Sequence, residues 1–252
     1  MPDALRVEQA DGVLSLTLNR PEKRNALDRL TIEALHEALE RADLDAEVRV
    51  VALRGAGKDF CAGADLAELL ASVNQDATTN AREAMDLGNV FLRMRDLPKP
   101  VVAVVQGRAL AGGCGLATAC DLVLAHAESQ FGYPEVRRGF VPAMVMAMLR
   151  RAVGEKRAFD LVATGRVLSA SEAEAMGLVS RVIPAETFEQ ETDALVRELA
   201  AASATALGLI KRQLYQLDGI SFTDGIRLGA QVNAVARTTP DFAAAVRRFF
   251  DK

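Results

Sequence analysis

Leu14, Leu16 and Leu18 alternate with Ser15 and Thr17. That period of two belongs to a strand with one buried face. Asp11-Gly12 stands just before it, with residues 7–9 on the other side. The opening therefore reads as a hairpin turning at Asp-Gly. Asn19-Arg20-Pro21 ends the strand. The period then lengthens. Leu30, Ala34, Leu35, Ala38 and Leu39 share one face of a helix over residues 29–42, and Asp28 stands at its cap position. Residues 48–53 are mostly apolar and rich in valine, as in a strand covered on both faces. Gly55-Ala56-Gly57 closes that strand.

Further along, residues 66–70 read as a short helix. Residues 71–80 are polar and weakly patterned, so a mobile loop is expected there. Residues 82–95 have an amphipathic helical pattern, and Pro98 and Pro100 bracket a strand over 101–105. A helix over 112–119, a strand over 121–125 and an extended piece at 130–131 follow. From residue 143 helical patterns dominate, with a strand-like stretch at 178–183. No strand signal follows residue 188, and no linker or internal repeat is visible. The reading is an α/β fold, with a mixed core over residues 1–187 and a helical region over residues 188–252.

Composition narrows the function classes. At 252 residues, with 50% apolar and 25% charged, the chain can build a sizeable core without disulfides or metal. The net charge of −4, with both signs dispersed, argues against a nucleic-acid surface. Cys61, Cys114 and Cys120 make an odd count with no CxxC pair, against a disulfide framework or a zinc site. His36 and His126 are the two histidines, too few for a His-rich metal centre. Residues 1–9 carry Asp3 and Glu8 and no apolar stretch, so no signal peptide is expected. Residues 101–125 are strongly apolar but contain Gln106, Arg108, Asp121 and several glycines. They read as strand, loop, buried helix and strand rather than a membrane span. The expected compartment is the cytoplasm.

Two places set small, glycine-rich backbone ahead of a helix. One is residues 60–66, Phe-Cys-Ala-Gly-Ala-Asp-Leu; the other is residues 109–115, Ala-Leu-Ala-Gly-Gly-Cys-Gly. A helix start has unpaired N–H groups and a positive dipole end, and small residues let a ligand oxygen approach. Together two such segments can form an oxyanion hole; alone, each is as readily a turn. A dinucleotide site is disfavoured: Thr118 stands where a GxGxxG run needs its last glycine. Glu135 follows Phe131-Gly132-Tyr133-Pro134. A lone glutamate is usually solvated, but Val136, Phe140 and Val141 are apolar neighbours positioned to desolvate it. Desolvation would raise its pKa toward a useful acid/base range, against any effect of Arg137 or Arg138.

These motifs also carry a resemblance. Leu18-Asn19-Arg20-Pro21-Glu22-Lys23-Arg24-Asn25-Ala26-Leu27 resembles the N-terminal signature of the crotonase (enoyl-CoA hydratase/isomerase) superfamily. Residues 50–66, 100–125 and 131–142 continue it in order, and 165–184 are similar to a later family stretch. The resemblance implies a crotonase-like spiral of ββα units with a C-terminal helical trimerisation region. It implies a homotrimer, or a hexamer made as a dimer of trimers. It implies an acyl-CoA thioester substrate, with the carbonyl polarised by the backbone N–H groups of Ala64 and Gly112, and Glu135 as acid/base. Substrate contacts are expected from Lys23, Arg24, Ala26, Phe60, Ala62, Asp65, Leu66, Gly113, Gly115 and Pro134. No metal is implied, nor any cofactor beyond the coenzyme A of the substrate.

One position departs from the pattern. Hydratases of the family carry a second glutamate where this chain has Gly115. The leading reading is addition of water to a trans-2-enoyl-CoA. An enoyl-CoA isomerase, moving a proton between C2 and C4 with Glu135 alone, stands beside it. From other classes come an acyl-CoA-binding protein without catalysis and a hydrolase or acyltransferase using Cys114. The acyl chain is expected between residues 66–77 and a helix over 141–148, with Cys114 and Tyr133 as packing residues.

Overall fold

The computed structural model describes residues 4–250. The chain opens with β1 (Leu5–Ala10) and β2 (Val13–Leu18), then α1 (Arg29–Leu44) and β3 (Val50–Gly55). α2 (Leu66–Ala71), α3 (Ala77–Asp96), β4 (Val101–Val105), β5 (Arg108–Leu110) and α4 (Gly112–Ala119) come next. β6 (Leu122–His126), β7 (Gln130–Gly132), α5 (Met146–Val153), α6 (Glu155–Thr164), β8 (Val167–Ser169), α7 (Ala170–Met176) and β9 (Arg181–Ile183) follow. The chain ends in α8 (Phe188–Ala201), α9 (Ala204–Gln216), α10 (Phe222–Arg237) and α11 (Pro240–Phe250).

One sheet has the order β1-β2-β3-β4-β6-β9, antiparallel only at β1–β2. A smaller sheet has the order β5-β7-β8. The apolar run of β3 is explained by what covers it. Val51 and Leu53 face the larger core with α1, α3 and α4 residues such as Leu35, Val90 and Leu116. Val50 and Ala52 face the opposite side, where Val196 and Ala200 of α8 cover them. Strands buried on both faces have no polar face to show.

Helix α1 begins where its cap predicts, with the Asp28 side chain accepting from Thr31 N–H. Residues 71–80 depart from expectation. A 3-10 turn occupies Ser72–Asn74, and α3 starts at Ala77 because Asp76 accepts from Thr78 and Thr79. That cap lies in a polar run without hydrophobic period. The short strands β5 and β8 were not anticipated; neither has the length to show a period. Only Arg181–Ile183 of the stretch 178–183 is strand. Helix α7 ends at left-handed Gly177, and Leu178 and Val179 donate back to the Ala173 carbonyl. The helix expected over 141–148 begins at Met146.

Candidate active site

Residues 60–64 run as an irregular strand between two neighbours. Cys61 N–H donates to Arg108 O and Leu110 N–H donates to Cys61 O, 3.0 and 2.9 Å. On the other side Leu27 N–H donates to Gly63 O at 2.8 Å, and Asp65 N–H donates to Leu27 O at 2.9 Å. Ala64 pairs with Leu27 through these flanking bonds. A trans peptide points its N–H opposite to its C=O. Because Gly63 O faces Leu27, the Ala64 N–H faces away from it, toward residues 111–112. A Cβ on Gly112 would lie 3.8 Å from Ala64 N, and one on Gly63 would lie 3.2 Å from Gly112 N. The two small-residue segments abut.

Helix α4 starts at Gly112, after Ala111 at φ 50 and ψ −127. A non-glycine residue there costs of order 1–3 kcal/mol. The turn is held by Ala111 N–H donating to Gly132 O at 2.8 Å. The first N–H groups of a helix lack intrahelical acceptors, and Ala64 and Gly112 are both partly exposed. A thioester oxygen set between these amides would receive a hydrogen bond from each.

Glu135 lies in a short 3-10 helix, Pro134–Arg138. The pairing of Leu110 with Gly132 carries this segment past the start of α4. The side chain is buried, and its Oε2 has no hydrogen-bond partner. Burial pushes its pKa up, opposed by its own backbone N–H and by Arg138. The desolvation does not come from Val136, Phe140 and Val141, as expected from sequence. All three side chains are exposed: Val136 points outward from the 3-10 turn, and Phe140 and Val141 lie beyond its end.

The loop expected to hold the coenzyme A moiety adjoins the 60–64 segment, where Ala62 N–H donates to Arg24 O at 3.0 Å. Lys23 and Arg24 are exposed, and Ala26 and Ala62 are partly exposed. Arg24 and Asn25 both have left-handed φ, 53 and 54. Asn25 is 1% exposed and saturates this turn. It accepts from Arg20 N–H and donates to Ala56 O and Asp59 O. Its role was not assigned from sequence, although an asparagine before a small residue is a turn signal.

Several expected contacts are corrected. The Phe60 side chain is fully buried in the core, so only its backbone edge can meet a ligand. Gly113 packs against Cys61: a Cβ there would lie 2.7 Å from its Sγ and overlap its carbonyl oxygen. Gly115 packs against Val145 Cγ1, with Phe91 Cζ 3.2 Å from the Cβ position. Both glycines serve close packing. Asp65 caps α2, accepting from Ala67 N–H at 3.0 Å, and Leu66 is exposed. Pro134 is partly exposed beside Glu135.

Cys114 is buried, and burial pushes its thiol up to about 12. Such a thiol is no thiolate nucleophile at neutral pH. His126 offers it no base: its Nδ1 accepts from Glu128 N–H and its ring packs on Phe188. Tyr133 is fully buried, its hydroxyl 2.7 Å from Thr118 Oγ1, which donates to Cys114 O. Both residues pack, as expected. Among the described residues no cluster of three His, Cys, Asp or Glu side chains is placed to hold a metal. No described helix is long and apolar enough to cross a membrane.

The sequence model of the enoyl-CoA hydratase/isomerase family matches residues 8–237. The chain belongs to that family. A Thermus thermophilus protein named for the enoyl-CoA hydratases is 46% identical over 235 residues, 93% of each chain. The 2,3-dehydroadipyl-CoA hydratase of Escherichia coli is 34% identical, covering 98% of this chain and 96% of its own. The crystal structure of an enoyl-CoA hydratase from Mycobacterium smegmatis superposes with a TM-score of 0.94 at 31% identity, covering 98% of this chain and 96% of that one. The crotonase-like fold expected from the motifs is therefore the fold observed.

Within this enoyl-CoA hydratase/isomerase fold, position 115 is closed. Val145 and Phe91 are each 4% exposed and occupy the space a side chain at 115 would enter. Glu135 stands without a second carboxylate at that position.

Proposed function

We propose that this protein is an enoyl-CoA hydratase, adding water across the 2,3 double bond of a trans-2-enoyl-CoA. The observation that carries this reading is the abutment of the Ala64 and Gly112 amides in the fold where Glu135 is buried with an unpartnered oxygen. The names of the full-length relatives support the same reaction.

The steps balance with one carboxylate. Glu135 takes a proton from water as the water oxygen bonds to C3. The C2=C3 electron pair moves into the thioester, giving an enolate whose oxygen lies between the two amides. Protonated Glu135 then returns its proton to C2. Donors aimed at the developing oxyanion act where charge appears, and each is worth roughly 2.7–4 kcal/mol. Raised proton affinity suits Glu135 to both transfers. No metal takes part, and coenzyme A enters with the substrate.

Lys23, Arg24, Ala26 and the 60–62 edge are assigned to the coenzyme A moiety. Leu87 approaches Gly112, and Met85 and Met144 meet over Gly88; these side chains, with residues 66–77, are assigned to the acyl chain. Exposed Ile210, Leu214, Phe222 and Ile226 on α9 and α10 support a homotrimer, alone or paired into a hexamer. We place the enzyme in the cytoplasm, in acyl-CoA metabolism.

The closed position 115 favours a second reading. Without a second carboxylate to orient water, Glu135 can instead carry a proton between C2 and C4 of a 3-enoyl-CoA. Crotonyl-CoA and 3-hexenoyl-CoA separate the two. Loss of enone absorbance with crotonyl-CoA, abolished in Glu135→Gln, is the hydratase outcome. Appearance of enone from 3-hexenoyl-CoA, with no hydration of crotonyl-CoA, is the isomerase outcome. Binding of either ester without turnover would leave an acyl-CoA-binding protein.

A further inference from the structure

Arg20 has no place in the chemistry above, yet its side chain reaches three acceptors around the Ala64 amide. Its Nη1 donates to Ala26 O at 2.7 Å and lies 3.1 Å from Asp28 Oδ2. Its Nη2 donates to Asp65 Oδ2 at 2.9 Å. The guanidinium is 19% exposed, and the two carboxylates are 15% and 12% exposed. This is a partly buried fork, unlike a solvated surface pair.

The three partners have a simple relation. Ala26 and Asp28 flank Leu27; Asp65 follows Ala64. Leu27 is the residue whose N–H fixes Gly63 O, and so turns the Ala64 N–H the other way. Arg20 therefore grips both neighbours of Leu27 and one neighbour of Ala64. Each aspartate uses its other oxygen for a helix cap: Asp28 Oδ1 accepts from Thr31 N–H and Asp65 Oδ1 from Ala67 N–H. The guanidinium thus joins the starts of α1 and α2 across the Leu27–Ala64 bridge.

We propose that Arg20 is a positioning residue of the active site: by joining Ala26 O to Asp65, with Asp28 as a lesser contact, it aims the Ala64 amide at the thioester oxygen. The inference rests on the oxyanion role given to Ala64 above. It assigns to Arg20 the degree of carbonyl polarisation, with no contact to substrate.

The test uses butyryl-CoA carrying a ¹³C label at the thioester carbonyl. Its infrared band is recorded free and bound to the protein, alongside kcat and KM for crotonyl-CoA and for 3-hexenoyl-CoA. The variants are Arg20→Lys, Asp65→Asn and Asp28→Asn. Asp65→Asn keeps an oxygen for the Ala67 cap and loses the acceptor for Arg20. In the parent the bound band shifts to lower frequency. In Arg20→Lys and Asp65→Asn at least half of that shift is lost. For whichever ester is turned over, kcat falls about 10- to 100-fold, part of the 10²–10³ that loss of one oxyanion donor costs. KM changes less than about threefold, since polarisation of the transition state is what is lost. Asp28→Asn leaves the Asp65 arm and retains most of the shift.

A parental shift left intact in both Arg20→Lys and Asp65→Asn overturns the positioning role and leaves the oxyanion reading standing. Equal loss in Asp28→Asn and Asp65→Asn overturns it too, since a purely structural clasp would not distinguish its arms. A parental band that does not shift removes the oxyanion reading, and the Arg20 role with it. If Arg20→Lys does not fold, Asp65→Asn decides by the same band.

Discussion

The two backbone segments that meet at the candidate site are held by different balances of polar bonds and packing. Residues 60–65 are fixed by polar groups: the paired bonds with Leu27, the Asp65 cap and the Arg20 fork. Residues 109–115 share backbone bonds with Cys61 and Gly132 but have no side-chain clasp among the described residues, and their glycines rest on packing. Gly113 lies against Cys61, Gly115 against Val145, and Ala111 is bent into left-handed φ. A polar clasp can be loosened one bond at a time. A packed contact without room for a methyl group is kept or lost as a whole. Glu135 belongs to the packed side, since Ala111 N–H donates to Gly132 O just ahead of it. The acid/base is thus tied to the packed segment, and the adjustable contacts lie on the other.

The largest effect is expected from removing the acid/base without touching either segment. Glu135→Gln should lower kcat by about 10²- to 10⁴-fold, the usual worth of a positioned proton carrier. Its pH behaviour follows from burial. Burial raises the Glu135 pKa above its ordinary 4.5, so the acid limb of kcat/KM should fall above that value. Below its unfolded pKa the protonated group favours the folded state. As pH rises through the raised folded pKa, that contribution is lost. Glu135→Gln removes this dependence, so the variant should match or exceed the parent in stability at neutral pH. An acid limb at or below 4.5, or turnover unchanged by the substitution, would place the proton carrier elsewhere.

Next in size is the packed contact between the segments. A Cβ at Gly113 overlaps the Cys61 carbonyl oxygen and lies 2.7 Å from Sγ. The obstruction includes backbone, so no rotamer change relieves it. Gly113→Ala should cost about 1–3 kcal/mol in denaturant unfolding, the range for overpacked interiors. It should also lower kcat, because it drives the two amides apart. Stability within a few tenths of a kcal/mol of the parent would mean that the segments do not meet so closely.

Position 115 tests the same side with an obstruction that can be removed. Gly115→Glu meets Val145 Cγ1, the end of a side chain, and Phe91 Cζ at 3.2 Å. Alone it should cost about 1–3 kcal/mol. Paired with Val145→Ala it should recover most of that loss, and a double-mutant cycle should show strong coupling. Additive effects would show that Val145 is not what closes the position.

What the sequence revealed of this contrast is uneven, for physical reasons. The helix caps, the β1–β2 hairpin and the doubly buried strands follow from local pattern, so Asp28, Asp11-Gly12 and residues 50–53 predict their own structure. The two glycine-rich segments were visible as small-residue runs ahead of helices. That Gly113 and Gly115 pack against Cys61 and Val145 was not, because glycine leaves no mark of what lies opposite. The direction of Glu135 was legible, but its surroundings were misjudged. Its sequence neighbours Val136, Phe140 and Val141 are exposed, and the burial comes from elsewhere in the fold. The contacts of Arg20 and Asn25 were missed, since their partners depend on where Ala56, Asp59 and Asp65 come to rest.

The smallest effect sharpens the comparison most finely. Ala111 holds φ 50 and ψ −127 just before the Gly112 amide. Glycine adopts that conformation without a Cβ penalty but loses more freedom on folding, roughly 0.5–1 kcal/mol in ordered backbone. The two terms oppose each other, so Ala111→Gly should change stability by less than about 1 kcal/mol. Its structural consequence is more specific. A Cβ at Gly63 would lie 2.8 Å from the Ala111 Cβ, so that methyl group helps define how closely the segments approach. Removing it should loosen the packed segment alone, lowering kcat a few-fold with the Arg20 clasp intact. If packing sets the Gly112 amide and polar bonds set Ala64, then Ala111→Gly and Arg20→Lys should be additive in kcat. Strong coupling between them would show one shared support instead of two independent ones.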